Sequence, residues 1–280
     1  MKRILVPCDF SKPSKEAYKF ALELAMVSKG EIFVVHAVEL PLMYETAFGI
    51  QPYPADPELV KKMDAQANDA FQKMKQAYYS PVPIAIHFTL TYDFVLPSLR
   101  AFIQENAIDL VVMGTHGSSG LEEFLIGSNT EKVVRFSPVP VLSVRTAKGY
   151  GGIQNIVFPS TLALNQTDLV QHVVSLQEFF KAKLHIVFIN TPENFKTDEE
   201  GRSMLEEYAK HYNLKNYTLN FKNNFSERDG ILDFAEDIKA DMIAMATHSR
   251  KGLKHFFLGS VAESVVNHLD CPVWTYSIKQ

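Results

Sequence analysis

The 280-residue sequence has few of the features that mark secreted, membrane-spanning or nucleic-acid-binding proteins. It contains only two cysteines, Cys8 and Cys271, which excludes a disulfide framework and favours a reducing, cytoplasmic environment. No apolar run approaches the roughly 18 residues of a membrane span, and no apolar signal stretch precedes the first predicted strand. A net charge of −4 without a basic arm argues against a nucleic-acid surface. A soluble cytoplasmic protein is therefore expected.

A glycine-bearing segment follows an apolar run in the first half of the chain. The run at 108–113 predicts a buried parallel strand. The segment after it has the spacing Gly114, two residues, Gly117, nine residues, Gly127. Ser128 stands three residues before Glu131, a capping box that predicts the start of a helix. Free N–H groups and the helix dipole favour an anion there, so the segment predicts a phosphate site. Three turn glycines in an ordinary connection are the alternative.

The same frame recurs 132 residues further on in an altered form. Ala246 replaces Gly114 and Ser249 replaces Gly117, whereas Gly259 and Ser260 are retained. The first strand also has a counterpart, since residues 4–7 match residues 156–159. The chain is therefore predicted to contain two domains, 1–146 and 153–280, joined by a linker at 147–152.

Strands and helices are predicted to alternate along each copy. In the first copy, strands are expected at 2–7, 31–38, 84–89, 108–113 and 139–144, and helices at about 13–28, 57–78, 93–106 and after Ser128. This order predicts an α/β fold made of two tandem Rossmann-like, doubly wound domains with parallel five-stranded sheets. Ligands of such sheets bind at the carboxyl ends of strands, where the strand order reverses.

Two motifs carry a family resemblance. The glycine spacing after a strand that ends in Met-Gly resembles the nucleotide motif of the universal stress proteins. The first strand ends in Val-Pro-Cys-Asp at 6–9, which resembles their amino-terminal motif. Because both halves take part, the chain resembles a tandem universal stress protein.

The resemblance implies an ATP site in the first copy, at the ends of strands one and four. Asp9 would lie beside the ribose and phosphates, Val38 would contact adenine through its backbone, and Met113 would line the pocket. Pro7 belongs to the same crevice. The phosphates would be wrapped by Gly114, Gly117, Gly127, Ser128 and Asn129. Asp9 and Ser128 could instead only cap their helices.

The charge of the first glycine loop bears on the cofactor. The loop contains Glu122 and Glu123 but no Lys or Arg, so a triphosphate would depend on N–H groups, the helix dipole and a divalent cation. Mg²⁺ or Mn²⁺ could be held mainly by phosphate oxygens and waters. No His or Cys spacing indicates zinc, and no metal site built from protein side chains is expected.

The second copy departs from the motif where ligand contacts are expected. Thr161 takes the place of Asp9, and Ala246 and Ser249 add side chains to the loop. A structural or regulatory half is therefore expected. Its loop carries a basic cluster that could bind a phosphate or an acidic partner, or could simply be solvated. The cluster consists of Arg250, Lys251, Lys254 and His255.

The leading functional hypothesis is an ATP-binding protein of nucleotide-dependent stress response or signalling, with an unidentified protein partner. One alternative is a slow ATPase or nucleotidyl-transfer enzyme of the same fold, and a second is an adaptor that binds no nucleotide. The last strand of each copy, 139–144 and 272–278, would form a sheet edge. In the family resembled such edges pair, which implies an intrachain pseudo-dimer of the two halves. Two chains could then associate as a homodimer.

Overall fold

The computed structural model describes residues 1–38, 56–78, 80–81, 83–92, 95–115, 128–145, 149–248, 261–262, 265–266 and 270–278. Gly117, Gly127 and the basic cluster of the second copy lie outside these ranges. Ser128 and Asn129 are placed as helical backbone, and their side chains lie outside the description.

The first half alternates strand and helix as predicted. Its elements are β1 (Arg3–Pro7), α1 (Lys12–Ser28), β2 (Glu31–Ala37), α2 (Pro57–Ala77), β3 (Ile86–Thr91), α3 (Val95–Glu105), β4 (Leu110–Gly114), α4 (Ser128–Phe136) and β5 (Val141–Val144). Each predicted strand or helix is present, and the bounds differ by two residues at most.

The second half repeats this order. Its elements are β6 (Asn155–Pro159), α5 (Thr167–Phe180), β7 (Lys183–Asn190), α6 (Asp198–His211), β8 (Tyr217–Asn223), α7 (Glu227–Asp237), β9 (Met242–His248) and β10 (Val273–Ile278). Two short 3-10 helices lie at Tyr150–Gly152 and Pro192–Asn194.

Helix starts follow from local capping. Ser11 caps α1, since its hydroxyl accepts a hydrogen bond from the N–H of Ser14 at 3.4 Å, and Pro13 occupies the first turn, where a missing N–H is harmless. Thr197 and Glu200 form a reciprocal capping box at the start of α6. α1 and α5 both end at a left-handed residue, Lys29 and Lys181 respectively.

The ten strands form one sheet in the order β3-β2-β1-β4-β5-β10-β9-β6-β7-β8. All pairings within a half are parallel, as predicted. The last strands of the two halves, β5 and β10, pair antiparallel with Ser143 opposite Val273. The predicted pairing of the halves is therefore present, and the two five-stranded sheets are continuous.

Hydrophobic core covers both faces of the sheet. One cluster runs through both halves and contains Tyr18 of α1, Leu142 of β5, Leu176 of α5 and Trp274 of β10. On the opposite face each half has its own cluster, around Val111 in the first half and Ile243 in the second. Among the described helices, none has both the length and the apolar character needed to cross a bilayer.

The described part of the predicted linker packs against both halves. Gly149 has a φ of +82°, which glycine adopts readily. The N–H of Tyr150 donates to the Glu23 carboxylate of α1 at 2.6 Å, and its hydroxyl donates to the Phe179 carbonyl of α5 at 2.5 Å. The connection therefore bridges α1 and α5.

Candidate functional site

The candidate site of the first half lies at the carboxyl ends of β1 and β4. These strands pair directly, with Ile4 opposite Leu110 and Leu5 opposite Val111. β1 continues the sheet towards β2 and β4 continues it towards β5, so the strand order reverses between them. The segments that follow Pro7 and Gly114 therefore leave the sheet at one edge, the expected position of a ligand crevice.

Asp9 is exposed at this edge. Its Oδ1 accepts a hydrogen bond from the N–H of Ser11 at 3.0 Å, which shapes the turn between β1 and α1. Phe10 adopts a left-handed φ of 61° in the same turn. The N-cap of α1 is Ser11, so Asp9 is not the capping residue. The carboxylate is accordingly held near the crevice by a short turn.

Cys8 is buried beneath this turn. Its Sγ lies 3.5 Å from the Ser14 hydroxyl and 3.8 Å from the Met74 sulfur. Its carbonyl accepts from His36 Nδ1 at 2.7 Å. Burial raises the pKa of the Cys8 thiol, and the hydrogen bond to Ser14 offsets part of this increase. A buried, protonated thiol is a poor nucleophile, so Cys8 serves packing.

Gly114 has a packing role that sequence reasoning did not anticipate. A Cβ at this position would lie 2.6 Å from the carbonyl carbon of Pro13 and 2.8 Å from its Cβ. The first turn of α1 therefore lies directly against the end of β4. The absence of a side chain at Gly114 is required by the protein itself, in addition to any close approach of a ligand.

Thr130 ties the start of α4 to the end of β4. Its hydroxyl donates to the Gly114 carbonyl at 2.9 Å, and the side chain is buried. This bond fixes the two ends of the glycine loop relative to each other. Sequence reasoning overlooked Thr130, although a hydroxyl in a first helical turn beside a glycine loop is a usable signal.

Val38 and Met113 lie near the carboxyl ends of β2 and β4, the two strands that flank β1. Val38 follows β2, is 4% exposed, and donates its N–H to the Thr91 carbonyl at 2.7 Å. Met113 packs in the cluster around Val111 and is 5% exposed. A ligand would meet only the edge of its side chain.

The remaining predicted phosphate contacts are the glycine loop and the first residues of α4. Gly117 and Gly127 lie outside the described residues, so their roles stay predictions. The backbone of Ser128 and Asn129 opens α4, whose first N–H groups have no helical acceptor. In the described ranges no group of three His, Cys, Asp or Glu side chains could hold a metal ion.

The equivalent edge of the second half keeps the backbone and changes the side chains. The N–H of Ser160 donates to the Val187 carbonyl at 3.0 Å, as Cys8 N–H does to Val35 at 2.9 Å. Leu162 repeats the left-handed turn with a φ of 60°. Ser160, Thr161 and Ala246 line a cleft there.

The fold identifies the class of protein: a tandem, doubly wound α/β protein whose halves pair through their last strands. The family model of the universal stress protein family matches residues 1–145 and again residues 152–277. The chain therefore belongs to the universal stress protein family and contains two copies of its domain.

Individual relatives agree with this assignment. Universal stress protein MJ0531 of Methanocaldococcus jannaschii is 30% identical over 148 residues, covering 52% of this chain and 84% of the relative. Universal stress protein Slr1230 of Synechocystis is 22% identical and covers 99% of this chain and 100% of its own. A crystal structure of a universal stress protein from Archaeoglobus fulgidus matches with a TM-score of 0.69 at 20% identity, covering 98% of this chain and 96% of the other. That likeness shows the tandem fold.

Proposed function

We propose that the first half binds one ATP, and that ATP occupancy alters a surface read by a protein partner in a stress response. The observation that carries the proposal is the meeting of two motifs at one edge. Asp9 after β1 and Gly114 at the end of β4 emerge from adjacent strands at the point where the strand order reverses.

The start of α4 supplies the anion-binding element of this proposal. The helix dipole and the first N–H groups of α4 favour phosphate oxygens at Ser128 and Asn129. The bond from Thr130 to the Gly114 carbonyl holds this helix end beside β4. Gly117 and Gly127 would complete the loop, and Pro7, Val38 and Met113 would bound the nucleoside.

A divalent cation belongs to the same proposal. Mg²⁺ or Mn²⁺ would neutralise phosphate charge, which suits a loop that contains two glutamates and no Lys or Arg. Asp9 is exposed at this edge, and its carboxylate could accept a hydrogen bond from a water in the cation's hydration shell. A cytoplasmic location, which a sequence with only two cysteines favours, and a homodimer in solution are also proposed.

The test is calorimetric titration of nucleotide-stripped full-length protein with ATP, with and without Mg²⁺. One ATP per chain is expected for the wild type. Gly127→Val should reduce the affinity by at least about a hundredfold, because the side chain fills the space of a phosphate. Gly151→Val is the matched control, since a Cβ at Gly151 meets no heavy atom within 4 Å.

Other outcomes would change the proposal. If the wild type binds no ATP, the adaptor alternative is favoured. Two ATP per chain would indicate that the second half also has a nucleotide site. ATP turnover that Asp9→Ala abolishes would favour the slow ATPase or nucleotidyl-transfer alternative. Light scattering that finds only monomers at every concentration would exclude the homodimer.

A further inference from the structure

The second half contains a cleft at the carboxyl ends of β6, β7 and β9. About 520 Å³ of atom-free space lies in it, part of which is open solvent, so it is a partly open cleft rather than an enclosed pocket. The lining residues are Pro159, Ser160, Thr161, Gln166, Leu169, Val187, Phe188, Ile189, Asn194, Glu227, Ile231 and Ala246.

The cleft exists because α5 starts later than α1. Counted from their equivalent left-handed residues, Phe10 and Leu162, α1 starts after one intervening residue and α5 after four. The turn of α1 that packs against Gly114 therefore has no helical counterpart in the second half. Gln166 and Leu169 instead face the cleft from the start of α5.

The lining combines apolar walls with one carboxylate. Leu169, Ile189 and Ile231 supply aliphatic surface. Glu227 and Ile231 lie one helical turn apart on the same face of α7, so the carboxylate stands at the end of an apolar wall. Burial, and secondarily the charge of nearby Glu193, raises the pKa of the Glu227 carboxyl.

Glu227 has no counterpart carboxylate in the first half. At the repeat offset of 132 residues, the position of Glu227 corresponds to Val95 of the first half. Among the described residues, no Lys, Arg or His forms a salt bridge with its carboxylate, and none of the lining residues carries a positive charge. A half-buried anion that none of the described cations pairs with repels phosphates and attracts an ammonium or guanidinium group.

The rim of the cleft carries further apolar surface. Phe225, two residues before Glu227, is 93% exposed, and Phe195, next to the lining residue Asn194, is 67% exposed. Their loops are held together, since the Asn190 amide donates to Asn223 Oδ1 at 2.7 Å and to the Lys196 carbonyl at 3.1 Å. Two large exposed side chains thus lie within two residues of lining positions in the sequence, and exposed aromatic rings of this kind favour contact with an apolar group.

We propose that this cleft binds a small amphipathic amine, with the ammonium group at Glu227 and the apolar part between Leu169, Ile189 and Ile231. The site is distinct from the proposed ATP site, which lies in the other half and needs the opposite charge. The second half would thus sense a cationic metabolite while the first half senses a nucleotide.

Three probes of one shape and different charge test this proposal: 2-phenylethylamine, 2-phenylethanol and 3-phenylpropionate. Each is titrated into the full chain and followed by amide chemical shifts. The amine should bind at least about tenfold more tightly than the other two, as expected for a charge-assisted hydrogen bond. Equal binding of 3-phenylpropionate, or no saturable binding of the amine, would overturn the proposal.

A pair of glutamate variants locates the amine. Glu227→Gln preserves the shape and should remove the preference for the amine over 2-phenylethanol. Glu236→Gln, an exposed position on the same helix, should leave that preference unchanged. Retained preference in Glu227→Gln would contradict the site. Because Gly127→Val should bind the amine normally, failure of the ATP proposal and failure of this one are distinguishable.

Discussion

The two halves agree closely at the starts of their strands and differ at the ends where ligands bind. Asp109 accepts from the N–H of Lys2 at 2.6 Å, and its counterpart Asp241 accepts from the N–H of Gln154 at 3.2 Å. Ala107 and its counterpart Lys239 both adopt a left-handed φ. These features join one strand to the next and hold the fold, and both copies retain them.

At the ligand edge the differences are correlated. Gly114 accommodates the first turn of α1, whereas Ala246 faces a helix that starts later. Thr130 bonds to the Gly114 carbonyl, whereas its counterpart Ala262 has no hydroxyl. Cys8, which contacts Met74 through sulfur, is replaced by Ser160 at the equivalent position. Several residues at the ligand edge of the second half therefore differ together, rather than one contact having been lost.

The largest expected effect tests whether the halves are energetically one unit. Trp274, 1% exposed beside the β5–β10 pairing, belongs to the cluster shared by both halves. Trp274→Ala should lower the free energy of unfolding by about 3–5 kcal/mol. In Leu142→Ala, at the equivalent position of the first half, Trp274 fluorescence and circular dichroism should report one common transition.

Removal of an exposed aromatic provides the control for this prediction. Phe225→Ala should change the stability by less than about 0.5 kcal/mol, since its ring is almost fully exposed. Two separate transitions in the wild type, with fluorescence following only the later one, would show that the halves fold independently despite the continuous sheet.

The second effect concerns the glycine that distinguishes the halves. Gly114→Ala should lower the stability by about 1–3 kcal/mol, because the new Cβ would overlap Pro13 and force a shift of α1 or β4. Denaturant unfolding monitors the change. Gly151→Ala, where the space is open, should be nearly neutral. Unchanged stability in Gly114→Ala would mean that α1 yields easily and that the glycine is kept for the ligand alone.

Most of the fold was predictable because its signals are local and repeated. Apolar runs bounded by glycine or proline predicted every strand of the first half, and the internal repeat carried the order into the second. Pairing of β5 with β10 was also expected, but only from the family resemblance. The strand bounds shifted by one or two residues because hydrogen bonding to a neighbouring strand decides where a strand starts and ends.

The candidate site was predictable only in part. Pro7, Asp9 and Gly114 were brought to one edge as expected, because parallel strands place their carboxyl ends together. The contact of Gly114 with Pro13 and the bond from Thr130 could not be predicted, since both join segments far apart in sequence. Glu227 was missed because a glutamate in a first helical turn is ordinary, and its partial burial arises from the cleft.

The smallest expected effect is the pH-dependent change in stability caused by Glu227→Gln, which can be measured without any ligand. A carboxyl whose pKa is raised in the folded state is less stable when ionised in the fold than in the unfolded chain. That cost is present above the folded-state pKa and disappears below the unfolded value of about 4.3. Glu227→Gln should therefore be more stable than the wild type at pH 8 and no more stable below pH ~4.

The gain should be less than about 1 kcal/mol, because half-buried Glu227 is partly screened by water. Urea unfolding of both proteins at each pH measures it, and Glu236→Gln controls for the Glu-to-Gln exchange in α7. A loss of stability at pH 8 would instead assign the carboxylate a structural partner. Since no described Lys, Arg or His forms a salt bridge with Glu227, a bound ammonium group should stabilise its carboxylate, and adding 2-phenylethylamine should narrow the difference in stability between the two proteins.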